Sequence, residues 1–252
     1  MLNRLEIAGG ADRAGRPEEI RGIALKAGES LAVAGPTGSG KSEFLADIEQ
    51  LAAGDTPSGR IVSYRNAKGE MAGRSPAIVA TLSQRTNFIM DARVEEFAAL
   101  HAASLGKPGR DWAQRTADLA NTLCGEPMTP ESPLQRLSGG QARALMIADI
   151  ALISDAPVVL IDEVENAGID KHLAVSVLTG HGKIAVIATH DPVLILSSPR
   201  RLIMAEGGMR RLLAAAGEDR RCLDRLAGYD AALLRARDIL RRGEEMREEF
   251  FR

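Results

Sequence analysis

Residues 35–42 read GPTGSGKS, with Gly35, Gly38 and Gly40 spaced around Pro36, Thr37 and Ser39 and followed by Lys41 and Ser42. The run fits G-x-x-x-x-G-K-[ST] in full. Glycines at these places let successive backbone N–H groups converge on phosphate oxygens, and the positive end of the following helix adds to the field. Lys41 is expected to reach the β- and γ-phosphates of a nucleoside triphosphate, and the Ser42 hydroxyl to ligate Mg²⁺. A glycine-rich turn without a ligand is the weaker reading, because a strand and a helix flank the loop.

A metal ion beside a γ-phosphate needs a second anchor, and VVLIDE at 158–163 supplies one. Asp162 is then the carboxylate on the metal side, and Glu163 the general base or orienter of the attacking water. Alone, an apolar run ending in two acids is weak, since many strands end in acidic turns.

These groups need a scaffold. LAVAG at 31–35 reads as a buried strand and SEFLADIEQLAA behind it as a helix. VVLID at 158–162 and KIAVIATH at 183–190 are apolar runs, separated by helical character around Lys171 to Leu178. Such alternation predicts a parallel α/β sheet. Residues 92–124 are rich in Ala, Leu, Glu and Arg and precede Pro127, Pro130 and Pro133, which predicts a helical subdomain closed by a loop. Gly59–Tyr64 and Ala77–Leu82 read as strands of a small antiparallel element. RLIMAEGGMRRLL at 201–213 reads as a hairpin turning at Gly207 and Gly208. From Glu218 to Phe251 a charged helix is expected, with Leu223, Leu226, Tyr229, Leu233 and Leu240 near one face, packed on its own domain or on a partner.

Net charge is −2 and the isoelectric point about 6.1, so no basic field draws nucleic acid, and none is expected as a partner. Cys124 and Cys222 lack metal or redox spacing and favour free thiols in a reducing compartment. The amino terminus lacks a signal-peptide core, and no apolar run approaches the ~20 residues that span a bilayer. A cytoplasmic protein is expected, peripheral on the inner face of a membrane if a membrane partner receives it. Aromatic residues are 3% of the chain, so aliphatic side chains must fill the core.

LSGGQ at 137–141 joins the other motifs in a fixed order with GPTGSGKS, Gln84, VVLIDE and His190. In this combination the chain resembles the ATP-binding cassette (ABC) ATPases over roughly residues 20–210. The resemblance implies a P-loop NTPase core, α/β with a mostly parallel sheet, a small antiparallel β element and an inserted helical subdomain. The cassette would occupy residues 1–212, its helical subdomain about 90–140, and a helical extension 213–252. It further implies Mg-dependent hydrolysis of ATP by a head-to-tail dimer, homodimeric or with a different second cassette. Ser138, Gly139, Gly140 and Gln141 would contact the γ-phosphate held by the opposite protomer. Gln84, ending IVATLSQ, would approach Mg²⁺ and link core to helical lobe. His190 in ATHDP would contact the γ-phosphate and position the water, and Asp170 would be the D-loop aspartate. His101, His172 and His181 receive no role.

Three departures stand out against that family. Glu43 replaces the threonine that usually follows GKS, and an ionised carboxylate there repels phosphate, so its side chain is expected to turn away and weaken the grip. No Phe, Tyr or Trp occurs in residues 1–43 to stack on adenine. Arg13 or Arg16 offers a guanidinium plane instead, although a solvated arginine is the commoner case. VENAGID at 164–170 places Ala167 where a serine is usual. Resemblance to single cassettes implies a transmembrane partner subunit, with Phe88, Ile89 and Met90 either lining its docking groove or filling the helical lobe. The alternative is a soluble ABC ATPase that remodels a protein or assists metal-centre or cofactor assembly.

Overall fold

The computed structural model describes residues 3–73, 75–83, 88–107, 109, 111–162 and 168–246. Strands β1 (Arg4–Ala8) and β2 (Gly22–Lys26) precede β3 (Ser30–Ala34), the phosphate loop and α1 (Lys41–Glu49). β4 (Ile61–Arg65) and β5 (Val79–Ser83) follow, then the helical lobe of α2 (Val94–Ser104) and α3 (Trp112–Leu123). α4 (Gly139–Leu152) returns the chain to β6 (Val158–Asp162), α5 (Lys171–Gly180), β7 (Ile184–Ala188) and α6 (Pro192–Ser197). The hairpin of β8 (Arg200–Ala205) and β9 (Gly208–Ala214) leads into α7 (Gly217–Arg241).

Six strands form the main sheet in the order β5-β6-β7-β3-β8-β9, parallel except for β9. Side-chain alternation divides each central strand between two cores. Val158 and Leu160 of β6 with Ile184 and Val186 of β7 join α1 and the small sheet. Val159, Ile161, Ala185 and Ile187 point the other way, into α3, α4, α5 and α6. A strand covered on both faces must be apolar at every position, which is why VVLID and IAVIA read as continuous runs.

The small antiparallel sheet is β2-β1-β4, so Gly59–Tyr64 takes the expected place. Ala77–Leu82 does not. Its β5 pairs in parallel with β6 at the edge of the main sheet. A strand at this edge accommodates polar side chains, and the Thr81 hydroxyl donates to the Glu49 carboxylate of α1 at 2.8 Å. The strands β1 and β2, which complete the small sheet, were not anticipated. The hairpin turns at Glu206 and Gly207, both at positive φ (53° and 82°), and Gly208 already belongs to β9. Two left-handed residues give a turn whose twist matches the strands it joins.

Candidate nucleotide-binding site

Ser83, Asp162, Ala188 and Val33 stand in one register row across β5, β6, β7 and β3. The chemistry-bearing motifs leave the sheet at this carboxyl edge: the phosphate loop just after β3, Asp162 as the last residue of β6, and His190 two residues beyond β7. In open α/β sheets ligands bind outside this edge. Gln84, Glu163 and Ala167 lie outside the described residues.

The loop is built by glycine. Gly40, at φ 99°, is the N-cap of α1 and offers no side chain to the helix start. A Cβ there would lie 2.7 Å from the Gly207 Cα, so the two backbones touch. The first-turn N–H groups of Lys41, Ser42 and Glu43 have no acceptor within the helix, and Ser39 Oγ is buried without a partner. This is a cradle of donors around one concave turn, and it fits an anionic phosphate chain. The Lys41 ammonium donates to the carbonyls of Gly35 (2.7 Å) and Pro36 (3.1 Å). Ser42 is exposed, and Glu43, also in the first turn, is half-buried.

LSGGQ forms the start of α4. Ser138 is its N-cap in a reciprocal capping box: Ser138 Oγ accepts from the Gln141 amide (3.2 Å), and Gln141 Oε1 accepts from the Ser138 amide (2.8 Å). The Gln141 amide group also donates to the carbonyls of Glu126 (3.3 Å) and Pro127 (3.2 Å), tying the helix start to the loop before it. Ser138 and Gly139 are exposed. Asp170 caps α5, accepting from the Leu173 amide at 2.9 Å.

His190 is exposed beside a fixed frame. The Thr189 amide donates to Val33 (3.2 Å), and Asp191 caps α6 and pairs with Lys171 at 2.7 Å. Burial alone would raise the Asp191 carboxyl, but the Lys171 ammonium and the amides of Val193 and Leu194 hold it lowered. Among the described residues no group of three or more His, Cys, Asp or Glu side chains stands ready for a metal ion.

Near the loop, Arg16 is engaged with Asp12 (2.9 Å) and Glu206 (2.7 Å). Burial would raise the Asp12 carboxyl, yet bonds from the Arg16 amide and guanidinium and the Ala14 amide bring it down to about 2. Arg13 is exposed, its Cγ lying against Gly207. In the helical lobe Phe88 meets Phe97 edge-on, with ring centres 4.9 Å apart, and packs with Met90 against the core, whereas Ile89 is 98% exposed. Phe88 and Met90 thus take the core role expected of them, and Ile89 faces outward.

Sequence reasoning missed one cluster beneath the loop: Arg60, Glu18 and Asp47 are all buried and joined by ion pairs of 2.6 and 2.8 Å. Arg60 and Glu18 are 42 residues apart, and no local pattern couples them.

The ABC transporter family profile matches residues 22–166. An uncharacterized ABC transporter ATP-binding protein of Methanocaldococcus jannaschii is 45% identical over 252 residues, covering 98% of this chain and 96% of that protein. The macrolide export ATP-binding/permease protein MacB of Rhodospirillum rubrum is 28% identical over 198 residues, 73% of this chain and 29% of its own length. Among solved structures, an ABC transporter ATP-binding cassette in its ADP conformation superimposes with a TM-score of 0.61 at 16% identity, covering 89% of this chain and 95% of the other. A bacterial Atm1-family ABC exporter with ATP bound gives 0.58 at 18% identity, covering 92% and 42%. The structures share the fold, and the sequence match carries the family: this chain belongs to the ATP-binding proteins of the ABC transporter family and is an ABC-type ATPase.

Proposed function

We propose that this ATPase is the ATP-binding subunit of a membrane transporter, and that it works by closing head to tail with a second cassette around two nucleotides. One observation carries the dimer: the exposed start of α4, where Ser138 is capped by Gln141 and the amides of Gly139 and Gly140 have no acceptor within the helix. That is a second phosphate-receptive helix start besides α1, and the γ-phosphate of the opposite chain is the ligand this reading gives it. The relative that matches along nearly its whole length, described as an ABC transporter ATP-binding protein, supports the transport role. Among the described residues no helix is long and apolar enough to cross a membrane. We therefore assign the membrane path to a partner subunit, with the cassette peripheral on its cytoplasmic side.

In this reading Gly35 to Ser42 hold the triphosphate, with Lys41 leaving its loop carbonyls for the β- and γ-oxygens. Ser42 and Asp162 would hold Mg²⁺ together with Gln84. The ion supplies charge neutralisation along the phosphates. Glu163 accepts the proton of the attacking water, and His190 fixes that water against the γ-phosphate. Asp170 keeps the start of α5 in place at the dimer face.

The test uses a trapped complex. Glu163→Gln is expected to bind ATP and hold the closed dimer while turnover falls. Tagged, solubilised with detergent and purified with MgATP, it should carry a polytopic membrane protein in stoichiometric amount. Recovery of a soluble enzyme or carrier instead, with no membrane subunit, would overturn transport in favour of protein remodelling or cofactor assembly.

A further inference from the structure

Arg60 is fully buried, and its guanidinium uses every edge. Nε donates to Glu18 Oε1 (3.1 Å), Nη1 to Asp47 Oδ2 (2.8 Å), and Nη2 both to Glu18 Oε1 (2.6 Å) and to the Gly207 carbonyl (2.7 Å). Phe44 of α1 lies beneath it, 5.4 Å from the ring centre. Two buried carboxylates share one cation, so the remaining charge is met by other donors. Ser58 Oγ donates to Asp47 (2.8 Å), and the amides of Gly10 (2.8 Å) and Met209 (2.7 Å) donate to Glu18.

A buried ion cluster is weak evidence for stability, because well-packed apolar side chains often do as well. Its geometry says more. The Gly207 carbonyl is held by Arg60, and the Gly207 amide donates to the Ser39 carbonyl of the phosphate loop at 3.0 Å. On the other side of the turn, the Arg13 amide donates to the Glu206 carbonyl (3.0 Å), and the Glu206 carboxylate is clamped by Arg16 (2.7 Å) and Arg210 (2.8 Å). The Glu206–Gly207 turn is therefore the floor on which Ser39 and Gly40 rest, and Arg60 joins that floor to α1 through Asp47.

We infer that Arg60 is a positioning residue for nucleotide binding: through Gly207 it sets the Ser39–Gly40 backbone, and so the aim of the amides that receive phosphate. The inference rests on the assignment of residues 35–42 as the nucleotide loop. Lysine cannot replace the arginine here, since a point charge with three donors does not reproduce a planar fork bonded to two carboxylates and a carbonyl.

The experiment measures MgADP binding by titration calorimetry on the full chain, with circular dichroism as the check on folding. Arg60→Lys should bind at least about tenfold more weakly, a change of about 1.4 kcal/mol. Leu123→Ala, a destabilising change in the helical lobe, should bind like the wild type. The triple variant Glu18→Gln, Asp47→Asn, Arg60→Met removes the buried charges together; it should regain thermal stability and remain weak in binding. Wild-type affinity in either Arg60 variant overturns the inference, because the cluster would then serve stability alone. A measurement without variants stands beside these: MgADP should slow amide exchange across residues 205–209 of the wild type, and unchanged exchange there also overturns the inference. A wild type that binds no MgADP would sink the loop assignment itself.

Discussion

The Lys41 ammonium lies 2.7 Å from the carbonyl oxygen of Gly35, the residue that opens the phosphate loop. With its second bond to Pro36, the lysine closes the loop around its own charge. In the proposed site a triphosphate would compete with two carbonyls for that cation, and the bonds to them keep the loop shaped beforehand.

Lys41→Met is expected to act twice. Without nucleotide it removes the lysine donor from the Gly35 carbonyl, while that of Pro36 keeps the Ser39 amide at 3.1 Å, a loss of about 1 kcal/mol in stability. With nucleotide at a hundredfold excess over Kd, the wild type should gain about 2.7 kcal/mol in stability and melt at a higher temperature, and the variant should not. Thermal melts with and without MgATP read both effects. An unchanged melt of the nucleotide-free variant would show that the bonds to Gly35 and Pro36 contribute nothing.

Glu43 stands in the first turn of α1, where a carboxylate gains from the helix dipole even without a ligand. In the proposed site the phosphate would compete for the same field. Glu43→Gln and Glu43→Thr should therefore bind MgATP about two- to fivefold more tightly at low ionic strength, the span of a 0.3–1 kcal/mol dipole effect. The gain should shrink as salt screens the carboxylate. Equal affinity of both variants and the wild type at low salt would contradict this.

Ser138 permits its structural and nucleotide roles to be separated. Ser138→Ala removes the cap of α4 and should cost about 1 kcal/mol in stability. Ser138→Asp retains a capping oxygen, so its melting temperature should stay near that of the wild type. It also sets a negative charge where the γ-phosphate of a second chain is proposed to arrive, and ATP turnover should fall by more than about tenfold. Full turnover by a stable Ser138→Asp protein would exclude the proposed contact.

The legible parts of this fold were those with local redundancy. β3, its glycine loop and α1 form one continuous signal, and β6 as far as Ile161 and all of β7 are buried on both faces and so apolar. β1 and β2 carry only two buried side chains each, Leu5 with Ile7 and Ile23 with Leu25, between exposed or half-buried neighbours. Five such residues match a loop as well as a strand until a partner is present, here β1 pairing with both β2 and β4. β5 misled for a related reason, since an edge strand facing α1 tolerates Thr81 and Ser83. Within the site, Asp162 and His190 are read from their order along the chain, and the fold places the first at the end of β6 and the second just beyond β7. Arg60 is not read in this way, because its meaning arises from Glu18, Asp47 and Gly207, which only the folded chain brings together.

The helical lobe contains a titratable tie to the core. His101 Nδ1 of α2 lies 2.7 Å from the Asp149 carboxylate of α4. The hydrogen bond to Asp149 raises the His101 pKa, burial and the Lys107 charge oppose it, and the Asp149 and Asp155 charges assist. On the facing loop, Lys183 donates to the carbonyls of Ser154 and Ala156, and burial lowers its own pKa to about 8. A folded-state pKa above the unfolded value means that the native state binds the extra proton. The His101 contribution is then complete below the ordinary histidine range near 6.5 and is lost as pH rises through the raised value. His101→Gln should therefore be less stable than the wild type at pH 5.5, with the difference closing as pH increases beyond the raised pKa. Lys183 works with the opposite slope in a higher window: above about pH 8 the native state sheds a proton that the unfolded chain retains up to about 10.5, so stability gains with pH there. Urea unfolding of both proteins across pH 5.5 to 9 would read the His101 difference directly, since the Lys183 slope is common to both. A gap that stays constant over that range would show that the His101–Asp149 contact contributes packing and no charge.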